Sequence, residues 1–257
     1  YNGVSQEGIV RTQTTISNGV RMSTARCYLK PIKNRKNLRI ETGAHTQKVI
    51  MEGKKCVGID YHCKGKTIRA KASKEVIICT GGVASPQLLE LSGIGQPELL
   101  RSHGIKIEHE LMGVGEHLRD HINAPIKFHM KRGDLSYNKR MQGLGPAWQV
   151  LRYLFQKRGF MSLPSAPMLA FLRTRDDMET PDVQMHIVPY AVKNYKKRLL
   201  HDFPGITMAV YQLRPESLGS IHIQSPLPSE QPAINFNFLS DQIDRDAMLG
   251  GVKKIRQ

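Results

Sequence analysis

Apolar and polar positions follow two different patterns along the chain. Up to about residue 122, short apolar runs are separated by glycine and asparagine turns, whereas from Asn123 onward a period of two dominates. Ile126 and Phe128 alternate with Lys127 and His129; Val183, Met185 and Ile187 alternate with Gln184 and His186; Ile221 and Ile223 alternate with His222 and Gln224. Met208, Val210 and Gln212 repeat the pattern more weakly. Strands with one apolar face predict an antiparallel sheet covered on one side. Between them Ala147, Trp148, Leu151, Leu154 and Phe155 keep helical spacing, with Gly159 as a stop, which places Trp148 in a core or an interface. Ser240 and Asp241 are positioned to cap a last helix over 242–257.

The first region reads as extended segments followed by a strand-turn-helix junction. Ile9 to Val20 is threonine-rich and extended, with a hairpin turn at Asn18-Gly19. Ser23 to Arg26 open a short helix that Pro31 limits, Asn37 to Ile40 form a strand, and Val49 to Glu52 pair with Val57 to Ile59 across Gly53-Lys54. Val76 to Cys79 are continuously apolar and predict a strand buried on both faces of a parallel sheet. Gly81 and Gly82 then turn the chain, Ser85 caps a helix, Pro86 takes its first position, and Gly93 ends it in the left-handed conformation. Ile105, Ile107 and His109 alternate as a further strand. A glycine turn between a buried strand and a helix N-terminus suits a phosphate or nucleotide. The same residues also fit a strand-turn-helix unit that binds nothing, since neither glycine pair completes GxGxxG.

Charge widens the field. Of 257 residues, 38 are Lys or Arg and 22 are acidic, a formal +16, so a basic module for nucleic acid or an anionic surface is a rival reading. The basic residues are dispersed among apolar ones, and the Tyr and Phe residues are not interleaved with them as base-stacking requires, so no nucleic acid is expected as a partner. Cys27, Cys56, Cys63 and Cys79 show no CxxC pair, so no metal is expected, and Cys79 reads as apolar filler inside its strand. No apolar run is long enough to span a bilayer, and Tyr1 opens no leader pattern. A start at Tyr1 and an end at Gln257 within a charged helical pattern are expected of a segment cut from a longer protein.

Several separated motifs resemble the glucose-methanol-choline (GMC) oxidoreductases, closest to the bacterial choline dehydrogenase and alcohol dehydrogenase branch. The run from Gly81-Gly82-Val83-Ala84-Ser85-Pro86 through Ser92-Gly93-Ile94-Gly95 is similar to the family's second signature, with Ser85, Pro86, Ser92, Gly93 and Gly95 as its signature positions. Ser23-Thr24-Ala25-Arg26, Gly113-Val114-Gly115 through Asp120-His121, Pro181-Asp182-Val183-Gln184-Met185-His186 and Leu213-Arg214-Pro215-Glu216 resemble further family segments in the family's order. The resemblance implies an α+β fold, with part of an FAD-binding α/β domain and a substrate domain built on an antiparallel sheet with helices. It divides the chain into a substrate-domain segment at 1–17, FAD-domain sequence at 18–122, substrate domain at 123–240, and a truncated helix at 241–257 returning to the FAD domain.

For chemistry, the resemblance implies oxidation of an alcohol to an aldehyde by hydride transfer to FAD. Thr46, by a backbone contact to adenine, and Thr80, Gly81 and Gly82 are the implied cofactor residues; an ordinary strand residue is an equal reading of Thr46. The catalytic histidine is expected beyond Gln257, so this stretch by itself is expected to be inactive, and its retention of FAD is left open. His186 and His222 alternate outward on strands and are not read as the base. Glu116, His117, Asp120 and His121 are read as loop-closing rather than catalytic or metal-binding. The substrate is read as a primary alcohol, with choline second because Asn123 to Lys131 offers Phe128 but no acid. The electron acceptor is oxygen, a quinone or a dye, and the expected location is cytoplasmic, with association to a membrane left open.

Overall fold

A computed structural model describes residues 3–257; Tyr1, Asn2 and the leader reading at Tyr1 lie outside the described residues. In chain order, β1 (Gly8–Arg11), β2 (Ile16–Ser17) and β3 (Val20–Arg21) are followed by a π-helical turn at Ala25–Leu29 and by α1 (Lys30–Ile32). Then come β4 (His45–Glu52), β5 (Lys55–Cys63), β6 (Lys66–Lys71), α2 (Gly81–Leu91), β7 (Ile94–Gly95), α3 (Pro97–Ser102) and β8 (His109–Glu110). The second half holds β9 (Ala124–His129), α4 (Tyr137–Arg140), α5 (Gly145–Gln156), β10 (Met168–Leu172), β11 (Val183–Val188), β12 (Val192–Asn194) and β13 (Leu199–Leu200). It closes with β14 (Gly205–Gln212), β15 (Ser220–His222), β16 (Ala233–Asn235) and α6 (Gln242–Arg256).

These elements form two compact units. The first comprises Tyr1–Leu38, His121–Pro215 and Gln242–Gln257; the second comprises Arg39–Asp120 and Glu216–Asp241. One boundary between the units falls between Asp120 and His121. Residues 216–241 group with 39–120, whereas the sequence reading carried its substrate domain on to residue 240. The last helix lies in the unit of the five-stranded sheet rather than with residues 39–120.

In the first unit the sheet has the order β1-β10-β11-β14-β9, antiparallel throughout. β9 alternates half-buried and exposed positions along its whole length, whereas β10 is apolar throughout and buried at Leu169, Ala170 and Phe171 in succession. Helix α6 covers the face that bears Val183, Met185 and Val210. Asp244, Ala247, Met248, Gly251 and Ile255 recur at helical spacing as its buried side. A Cβ on Gly251 would stand 2.5 Å from Val210 Cγ2 and 3.5 Å from Val183 Cγ1, so the glycine is what lets the helix approach the sheet. A buried polar knot closes the loop between β11 and β14. Asn138, 1% exposed, donates to the Ala191 and His201 carbonyls at 2.9 and 2.8 Å and accepts from the Ala191 N–H at 2.9 Å.

In the second unit β4, β5 and β6 form an antiparallel sheet of three strands, one strand more than the predicted hairpin. β7 and β8 pair in parallel, Ile94 opposite His109 and Gly95 opposite Glu110. Helix α2 is tied to β4 by Ser92, whose buried hydroxyl accepts the Val49 N–H at 2.9 Å and donates to the Leu88 carbonyl at 2.5 Å.

Several expectations are corrected. Val76 to Cys79 form no strand; Ile77 is 74% exposed and Cys79 is exposed, because no described strand pairs with this run and an unpaired apolar segment has no ladder to bury it. Helix α2 starts at Gly81, with Thr80 as its N-cap and Pro86 inside it, rather than at Ser85-Pro86. Pro31 lies in α1 rather than before a stop; near a helix start its missing N–H would have no partner anyway. Asn37 to Ile40 are irregular, and only His109–Glu110 of the Ile105 to His109 strand forms. Trp148 is 62% exposed and so belongs to no core. The hairpin at Asn18-Gly19 forms with both residues at positive φ, 50° and 70°, as a primed turn demands.

Replacing Gly251 by Val is expected to destabilise the first unit by about 1–3 kcal/mol through overpacking against Val210. Leu249→Ala, on the exposed side of the same helix, should leave the urea midpoint close to that of the parent. Equal midpoints for the two variants would show that close approach of α6 is not needed.

Candidate functional site

The second unit presents a cavity of about 550 Å³ at the start of α2, lined by Gly82, Ser85, Pro86, Leu89, the loop from Leu111 to Arg119, and Ile221. The helix opens without a capping side chain and with no acid in its first turn. Thr80 Oγ1 and Ser85 Oγ lie 3.0 Å apart instead. Pro86 has no N–H to return to the Gly82 carbonyl, so that carbonyl loses its usual helical partner. Gly81 adopts φ +86°, and Cβ atoms built on Gly81 and Gly82 would meet nothing within 4 Å. The turn is therefore bare backbone at a helix N-terminus, open to a group that accepts hydrogen bonds or carries negative charge. These residues fit the phosphate or ring edge of a dinucleotide that approaches main chain closely.

The other signature residues serve packing. Ser92 joins α2 to β4; a Cβ on Gly93, at φ +81°, would lie 2.2 Å from the Lys106 carbonyl oxygen, and one on Gly95 would lie 3.2 Å from Glu90 Cγ. Thr46 lies on β4, an edge strand, and lines a separate cavity of about 400 Å³ with Arg39, Glu41, Ala44, Ile59, Tyr61 and Ala70. The pairing register of β4 shifts between Thr46 and Lys48. Thr80, Gly81, Gly82, Ser85 and Pro86 thus gather at one place, and Thr46 stands at another.

Sequence reasoning missed a carboxylate-imidazole-carboxylate chain beside the larger cavity. Glu90 is 0% exposed; its Oε1 lies 2.7 Å from His222 Nδ1, and its Oε2 accepts the Ile223 N–H at 2.8 Å. His222 Nε2 lies 3.1 Å from Glu116 Oε1, which also accepts from Gln96 Nε2 at 2.6 Å. The Gln96 amide holds Glu116 below the usual carboxylate range; partial burial opposes this, and His222 reinforces it. A neutral ring donates to one carboxylate only, and the imidazolium donates to both. His222 is therefore clamped, not outward-facing. The Gly113 to His121 loop is laced to β15 by Leu118 N–H to Gly219 O at 2.9 Å, its reciprocal at 2.8 Å, and Ile221 N–H to Gly115 O at 2.7 Å. The 132-residue separation of Glu90 and His222 left no local signal.

In the first unit the sheet face opposite α6 carries a polar cluster. Gln184 Nε2 donates to the Tyr211 hydroxyl at 2.9 Å, that hydroxyl also contacts His186 Nε2, and the His121 ring stacks on Tyr211 at 5.3 Å. Burial holds His186 below the usual imidazole value, which leaves it neutral near pH 7. None of the five strands contains Asp or Glu.

Residues 1–123 match the family model for GMC oxidoreductases. All 257 residues align at 36% identity with an oxygen-dependent choline dehydrogenase of Chromohalobacter salexigens, covering 46% of that protein. An alcohol dehydrogenase [acceptor] of Pseudomonas putida is 33% identical over 98% of the chain and 46% of its own length. The chain spans about half the length of the curated relatives it matches. Formate oxidase shares the fold at TM-score 0.84 and 24% identity, over 96% of this chain and 47% of that one. Pyridoxine 4-oxidase from Mesorbium loti does so at 0.81 and 20%, over 98% and 45%.

The His186 geometry sets a pH dependence. The unfolded chain takes up a proton at His186 near pH 6.5 and the folded chain only at lower pH, so stability is lost as pH falls below roughly 6.5 through the depressed value. His186→Gln should flatten this part of the urea-midpoint profile; an unchanged slope would mean that the ring is not held neutral.

Proposed function

We propose that the chain is the central part of a flavin-dependent oxidoreductase that converts an alcohol to an aldehyde. The observation that carries the reading is the alignment of all 257 residues with a choline dehydrogenase, joined to the bare Gly81-Gly82 turn beside its cavity. FAD, when bound, accepts the hydride from the alcohol carbon. The main-chain N–H groups at the start of α2 and the Gly82 carbonyl bind the cofactor, with Thr80 and Ser85 setting the turn, and Thr46 on the edge strand meets the adenine. Glu90, His222 and Glu116 hold the loop that lines the cavity. The face bearing Gln184, His186 and Tyr211 supplies a wall of the substrate cavity.

The base that removes the hydroxyl proton lies outside these residues. His222 has both ring nitrogens against carboxylates, and His186 is engaged with Tyr211 and Gln184. The substrate is an uncharged primary alcohol ahead of choline, since a quaternary ammonium is held by aromatic faces and a carboxylate, and the wall offers no acid. Oxygen, a quinone or a dye takes the electrons from the reduced flavin.

The test is the visible spectrum of the purified full-length protein. A flavin band is expected, bleached anaerobically by a primary alcohol and not by choline. Gly82→Val, which puts a branched side chain where the turn is bare, should lose the band while keeping the far-ultraviolet dichroism of the parent. Absence of flavin after added FAD would overturn the reading, and bleaching by choline alone would reverse the order of substrates. The 257-residue chain by itself should turn over no alcohol, and any turnover would place the base within it.

A further inference from the structure

Among the described residues that line the cavity at the start of α2, Glu116 alone is acidic. Its two oxygens are treated differently by the protein. Oε1 accepts from Gln96 Nε2 at 2.6 Å and faces His222 Nε2 at 3.1 Å, whereas Oε2 has no hydrogen-bond partner among the described residues. A carboxylate that only closed its loop would gain by spending both oxygens on the protein. Here every support meets one oxygen, and the other is open to a donor. An ionised carboxylate accepts hydrogen bonds and gives none, so what it takes is an O–H or N–H group. The bare Gly81-Gly82 turn on the same cavity favours negative charge, and Glu116 repels it. A ligand that carries both phosphate and hydroxyl groups is thereby oriented, with phosphate toward the turn and a hydroxyl toward Glu116.

The His222 ring is fixed behind this carboxylate. Its Nδ1 lies 2.7 Å from an oxygen of the fully buried Glu90, and a Cβ on Gly115 would stand 2.7 Å from the ring, so the imidazole has little room to turn. With the Nδ1 proton given to Glu90, Nε2 donates to Glu116 only when it carries a proton as well. The neutral ring in that tautomer would turn a lone pair on Glu116 Oε1 instead. The other neighbours do not take over this role. His117, on the same loop, adds to the positive field on Glu116, and Arg119 is paired with Glu216 at 3.1 Å. Strand β16 sets Ala233 opposite His222 and brings no ionisable side chain.

We propose that Glu116 binds a sugar hydroxyl of the dinucleotide cofactor, and that His222, as the imidazolium, is the residue that positions it. The inference rests on the flavoenzyme reading. The hydroxyl belongs to the ribityl chain or to the ribose, and the chemistry of the contact is the same for both.

The test is a titration of the full-length apoprotein with FAD, followed by flavin fluorescence across a range of pH. Two analogues run beside it, one built on 2′,3′-dideoxyadenosine and one with a plain pentyl chain in place of ribityl. Glu116→Gln should weaken FAD binding roughly tenfold to a hundredfold, the range for a hydrogen bond to a charged group, with the far-ultraviolet dichroism of the parent. One analogue should bind the parent more weakly than FAD by a similar factor, and Glu116→Gln should not distinguish that analogue from FAD; the analogue concerned identifies the sugar. Because the analogues probe the parent itself, this arm needs no substitution. Binding to the parent should weaken as pH rises and the His222 ring loses its proton. His222→Gln should bind as weakly as the parent does at high pH, with a flat profile. Nitrogen-15 shifts of His222, read without cofactor, should show both ring nitrogens protonated at the pH of tightest binding. Equal FAD affinity of the parent and Glu116→Gln, or both analogues bound by the parent as tightly as FAD, would overturn the proposal and leave the flavoenzyme reading standing. A parent that binds no FAD would sink both. A His222 ring with one unprotonated nitrogen at the pH of tightest binding, or an unaltered pH profile in His222→Gln, would remove the positioning role.

Discussion

A carboxylate with no exposed surface organises the second unit. Glu90 sits near the end of α2, where an unpaired charge would be strongly destabilising, and each of its oxygens is answered: one by the His222 ring, the other by the Ile223 N–H. Removing one partner of a buried pair typically costs about 3–5 kcal/mol, so the strand that carries His222 has little freedom to leave the helix. Ser92, two residues on, makes the matching link to β4 through the Val49 N–H. One end of α2 is thereby fixed on two sides by buried polar contacts. Its other end, at Gly81-Gly82, is left as open backbone. The rigid end positions the bare one, and a preorganised turn is what close main-chain recognition of a cofactor requires.

Much of the sheet architecture was legible because a half-buried strand writes its two faces into alternate residues. Val183, Met185 and Ile187 against Gln184 and His186 are such a case, and the strand formed over 183–188. The primed turn at Asn18-Gly19 was legible for a different reason: few residues tolerate positive φ. Val76 to Cys79 was misread because burial of an apolar run depends on neighbouring strands, which local sequence does not contain. The start of α2 was misplaced because Ser85-Pro86 is a strong helix opening locally, yet the helix already begins at the glycine pair ahead of it. The Glu90–His222–Glu116 chain left no trace because it is made of contacts between residues more than a hundred positions apart. Glu116 was read as loop-closing and His222 as outward-facing, and nothing local tied either to Glu90.

Helices α5 and α6 show the limit of periodicity from another side. Both carry apolar residues at helical spacing, and that spacing predicts a stripe without saying what the stripe meets. In α6 the stripe is completed by Gly251, whose missing side chain admits Val210, and the helix lies on the sheet. In α5 the corresponding positions are Trp148 and Phe155, too large for such an approach, and the inward side is built from Gln149 and Tyr153 instead. Trp148 was expected in a core or an interface; the first is excluded by its exposure.

Likeness to a family and choice of substrate rest on different residues. The likeness to choline dehydrogenases extends over all 257 residues, and likeness of fold does not by itself fix a substrate. Choice of substrate falls to side chains facing the cavity. On the proposed wall, His186 is neutral, Gln184 and Tyr211 offer uncharged hydrogen bonds, and the five strands bring no carboxylate. In the low-dielectric setting that such a cavity supplies, a fixed positive charge on the substrate without an opposing acid would be destabilised by desolvation. A hydroxyl on an uncharged carbon chain finds donors and acceptors there at no such cost. Under the proposed function, that wall suits a neutral alcohol better than choline, although the chain is 36% identical to a choline dehydrogenase.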